Sequence, residues 1–60
     1  MSPQQLILEM IAAEHRLANE PDARRVIRNE RQTLQVALSA RQGNIREVAA
    51  EALRVLKMWL

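Results

Sequence analysis

Apolar residues recur along this chain at helical intervals. At about 100° per residue, Leu6, Ile7, Met10, Ile11, Ala13, Leu17 and Ala18 fall on one arc of a first segment, with Leu8 on its opposite side. Ala23, Val26, Ile27, Leu34, Ala37 and Leu38 make a second stripe, into which Glu30 and Arg41 project. Ile45, Val48, Ala49, Ala52, Leu53, Val55, Leu56, Trp59 and Leu60 share a third, broader arc, while Arg46, Glu47, Glu51, Arg54 and Lys57 take the other side. Spacings of three and four put residues on one face of an α-helix, whereas a strand alternates every second residue. The pattern predicts an all-α chain of three helices.

Punctuation between the stripes agrees with that reading. Ser2-Pro3-Gln4-Gln5 supplies a cap, a first-turn proline and a capping-box partner. The first helix is expected over residues 3–18. Pro21 cannot donate to a preceding turn and suits the start of a new helix, with Asp22 near its positive end. The second helix is expected over residues 21–41. Gly43, the single glycine, stands where a left-handed C-terminal cap is wanted. Asn44 and Glu47 then form a second capping box, and the third helix is expected over residues 45–59. The short link predicts an antiparallel hairpin of helices 2 and 3 with helix 1 packed across it, all within one domain, 1–60.

Length changes the picture more than composition does. A domain of 60 residues buries only about 60% of the surface its unfolded chain exposes, and chains of this size commonly rely on disulfides, a metal or another subunit. There is no cysteine and only one histidine, so disulfides, zinc-thiolate sites and a multi-histidine site within one chain are excluded. A second subunit is the remaining support. The expected assembly is a homodimeric helical bundle, with Leu6, Met10, Leu17, Glu30, Leu53, Leu56 and Trp59 as interface candidates towards a second copy or another partner. No secretion signal is visible, and no apolar run approaches the roughly 20 residues that span a bilayer. A cytoplasmic location without membrane partners is the expectation.

Charge is close to balanced, with nine basic residues against seven acidic ones. Its arrangement is uneven. Arg24, Arg25, Arg28 and Arg31 gather on helix 2, opposite its apolar stripe, together with Gln32, Gln35 and Gln42. Arginine forks suit carboxylates and phosphates, so this face is the candidate for an anionic partner surface. Solvation of an outer helix face explains the same pattern. No aromatic residue interleaves with the arginines, so a stacking platform for single-stranded nucleic acid is missing. Glu14 and Glu30 enter apolar stripes and need cations, for which Arg16, Arg41 or an arginine of a second subunit are available.

Catalytic apparatus is not apparent. The Glu-x-x-His pair of di-iron bundles is absent, since His15 follows Glu14 directly. No base and nucleophile pair forms around His15, and one glycine supplies neither an oxyanion loop nor a phosphate cradle. No metal, cofactor or small-molecule substrate is expected. Ala37-Leu38, Gly43-Asn44-Ile45, Ala49-Ala50 and Leu53 resemble the opening of a Fis-type helix-turn-helix. The resemblance stops there, because Glu51-Ala52-Leu53-Arg54-Val55-Leu56 runs on without a second turn or a basic recognition helix to enter a major groove. The expected function is a non-enzymatic protein-interaction module, a dimeric regulator or inhibitor of a larger protein. A nucleic-acid-binding dimer using the arginine face and a structural assembly subunit are the alternatives.

Overall fold

The computed structural model describes all 60 residues and contains three α-helices and no strand. Helix α1 (Pro3–Arg16) starts at the expected box. The Gln5 backbone N–H donates to Ser2 Oγ at 3.1 Å, and the Ser2 N–H donates to Gln5 Oε1 at 3.2 Å. The helix closes two residues earlier than its apolar arc suggests, with the Leu17 N–H donating to the Ala13 carbonyl. A turn over residues 17–19 leads to Glu20, and Pro21 opens α2 (Pro21–Ser39).

The end of α2 differs from the sequence expectation in a specific way. The left-handed residue is Arg41, with φ of 52°, and Gly43 has no positive φ. The Gln42 N–H reaches back to the Ala37 carbonyl at 3.0 Å, and the Arg41 N–H to the Leu38 carbonyl at 3.2 Å. This pair of bonds is a Schellman cap. Its position follows from the core. Ala37 is buried and Leu38 half-buried, but every side chain from Ser39 to Asn44 is exposed. Another turn of helix would bury nothing, so the cap falls two residues before the glycine.

Helix α3 (Ile45–Met58) follows. Its expected capping box is not formed. Asn44 makes no side-chain cap bond, and its backbone, at φ −98° and ψ 22°, lies outside the extended geometry that aims a capping oxygen at the helix.

The core is drawn from all three helices: Leu6, Met10 and Ala13 of α1, Ala23, Ile27, Leu34 and Ala37 of α2, and Ala52, Val55 and Leu56 of α3. Helix α2 packs against both neighbours, which touch each other less. Met10, Ile27 and Leu34 are the largest fully buried side chains. The buried alanines leave room for the helices to close on them. The molecule measures 35 × 17 × 15 Å, so its long axis exceeds the roughly 28 Å that a helix the length of α2 spans. No helix is long and apolar enough to cross a membrane.

Three of the interface candidates take part in this packing. Leu6, Met10 and Leu56 are 3%, 0% and 3% exposed, inside the chain's own core. The apolar stripes satisfy one another first, because contacts within one chain require no second molecule to be ordered.

Candidate functional site

Residues 24, 28 and 31 are separated by four and three positions, so α2 presents Arg24, Arg28 and Arg31 along one ridge. That ridge lies beside the second half of α1. Ile11, Glu14, His15 and Ala18 form the opposite wall of an open groove of about 500 Å³. Arg25, one residue off the ridge, faces elsewhere and sits 3.5 Å from Asp22 in an exposed ion pair.

Within the groove the arginines are not equivalent. Arg31 crosses to α1 and grips Glu14 with two bonds, Nε to Oε2 at 2.5 Å and Nη2 to Oε1 at 3.1 Å. Its Nη1 donates to Gln35 Oε1 at 3.0 Å. The two charged side chains are only 17% and 14% exposed. Donating hydrogen bonds to Glu14 raises the Arg31 pKa above the ordinary arginine value, burial opposes it, and the Glu14 charge adds to the rise. The guanidinium therefore stays charged, and its bonds to Glu14 join α1 to α2.

Glu14 thus finds its cation within the chain, at Arg31 rather than at Arg16, Arg41 or a second subunit. Arg24, half-buried, and Arg28, exposed, form no ion pair. With both Glu14 oxygens held by Arg31, the groove carries two positive charges in excess.

The remaining candidates are scattered. Leu17 and Leu53 are half-buried against the core. Glu30 is half-buried without an ion pair, in a shallow depression shared with Glu47 and Glu51 between α2 and α3. Trp59 caps α3 and is 42% exposed, next to Met58 at 68% and Leu60 at 74%. At the other end of α3, Ile45, Ala49 and Leu53 line a second groove with Pro3 and Leu6, of about 380 Å³ and mostly apolar. No group of three or more acidic, histidine or cysteine side chains is placed to hold a metal ion.

Sequence reasoning did not find that His15 and Ile11 wall the basic groove, nor that Gln35 supports Arg31. The available signal was Glu14 itself. A carboxylate in an apolar stripe demands a partner, and the arginine ridge was the nearest unclaimed supply.

The chain matches no protein-family model, no curated protein and no solved structure.

Proposed function

We propose that this chain is a non-enzymatic protein-interaction module that pairs with a second copy and regulates or inhibits a larger protein. One observation carries the reading. An apolar groove at one end of α3 and the exposed Met58, Trp59 and Leu60 at its other end are both left without cover. The helix that separates them is about 21 Å long. Two copies related by a twofold axis across α3 bring each Trp59 to the other's groove, and the contact closes on itself. In that arrangement α2 and α3 act as an antiparallel hairpin, and two chains make a six-helix bundle. Trp59 is the anchor, because a large aromatic that enters a pocket contributes disproportionately to association.

Light scattering on a sizing column, across a range of concentrations, tests the pairing. The expected mass is twice the 6.9 kDa of one chain. Trp59→Ala should weaken association by about tenfold or more, a loss of at least about 1.4 kcal/mol. A monomer at every concentration would overturn the pairing. Growth beyond two copies would favour an assembly subunit instead.

A further inference from the structure

We propose that the groove between α1 and α2 receives an acidic helical segment of the protein target, one with two carboxylates a single helical turn apart. The inference rests on reading the chain as a protein-interaction module, but not on its pairing with a second copy. Arg24 and Arg28 are four residues apart on α2, which sets their Cβ atoms about 5–6 Å from each other. Two carboxylates at the same spacing on a facing helix match them one to one, and each guanidinium can hold its carboxylate by two parallel bonds. Arg24 is already partly withdrawn from solvent and forms no ion pair with any carboxylate of its own chain. Closing the groove over it without a counter-charge is unfavourable.

The extent of the positive ridge distinguishes a protein from a nucleic acid. One turn before Arg24 stands Glu20, and one turn after Arg28 the ridge continues as Arg31, already donating to Gln35 and to Glu14. Two free cations remain, bounded by an acid at one end and a spent arginine at the other. A phosphate backbone carries charge continuously and would run off this ridge in both directions. His15 is the one ring in the groove and no Phe, Tyr or Trp lines it, so there is no run of stacking surfaces for successive bases, whereas Ile11 and Ala18 offer an apolar wall to an aliphatic neighbour of the carboxylates.

The test uses the whole chain and designed probes. One probe is an alanine-rich peptide of about 15 residues, the length at which an isolated helix begins to hold, with glutamates at one i, i+4 pair. A second has glutamines there, and a third is a single-stranded or duplex oligonucleotide. Binding is followed by backbone amide NMR shifts. The glutamate peptide should move the Ile11, His15, Arg24 and Arg28 signals, and the glutamine peptide should not. The double variant Arg24→Gln, Arg28→Gln should lose about tenfold or more in affinity, with its circular dichroism and solution mass unchanged. Equal binding by both peptides, or by the double variant, overturns the proposal. An oligonucleotide that binds the groove more tightly than the glutamate peptide overturns the protein-interaction reading with it, whereas absence of all binding defeats the groove alone and leaves the dimer mass as it was.

Discussion

Arg31 and Glu14 show how one contact reassigns two residues. On separate helices, one reads as a solvated cation and the other as an acid misplaced in an apolar stripe. Docked, they share two hydrogen bonds and are largely withdrawn from water. Removing one partner strands the other's charge, which is worse than removing both. Glu14→Gln should therefore lower stability by about 1–3 kcal/mol, read as a lower urea midpoint at unchanged slope. The pH dependence follows from the raised Arg31 pKa. A cation whose folded pKa is raised stabilises fully below its unfolded value, and the contribution is lost only as pH rises through the folded one. For an arginine that window lies far into alkali, so the Arg31 share of stability should be flat across neutral pH.

At the level of helices, ends are more revealing than middles. Arg41 occupies a left-handed position that a side chain disfavours by roughly 1–2 kcal/mol. Arg41→Gly should relieve that strain, partly offset by the freer unfolded chain, for a net gain of up to about 1 kcal/mol. In a domain this small, such a gain raises the melting midpoint by about 4–8 °C. Gly43 makes the converse case. It has no positive φ, and a Cβ there meets nothing within 4 Å. Gly43→Ala should be neutral or stabilise by about 0.4–1 kcal/mol. If Gly43→Ala melted several degrees lower and Arg41→Gly gained nothing, the cap would sit where the sequence pattern placed it.

The molecule as a whole depends on few buried residues, ten of 60, so each matters. Folded chains of this length hold about 3–9 kcal/mol in total, and a buried leucine cut back to alanine costs about 2–5 kcal/mol. Leu34, fully buried on the central helix as Ile27 is, is among the most exacting positions. Leu34→Ala should remove about 2–5 kcal/mol of that total, so that the helical circular dichroism signal is lost at a markedly lower temperature. Val36→Ala, on the same helix but 59% exposed, should leave the signal intact.

What was legible without a structure is what neighbours in sequence decide. The helix starts at Pro3, Pro21 and Ile45, the Ser2–Gln5 box and the apolar face of each helix depend on bonds and periodicities spanning a few residues. The rotation at which one helix meets another is not local, and everything governed by it stayed hidden. That rotation buried Leu6, Met10 and Leu56 internally, turned Arg31 onto Glu14, and left Arg24 and Arg28 free in a groove. It also ended α2 at Ser39, where burial ran out, rather than at the glycine. Sequence set the elements because backbone hydrogen bonds and caps act within a turn. Only tertiary packing decided which charges met, because a salt bridge across helices is fixed by how two surfaces dock.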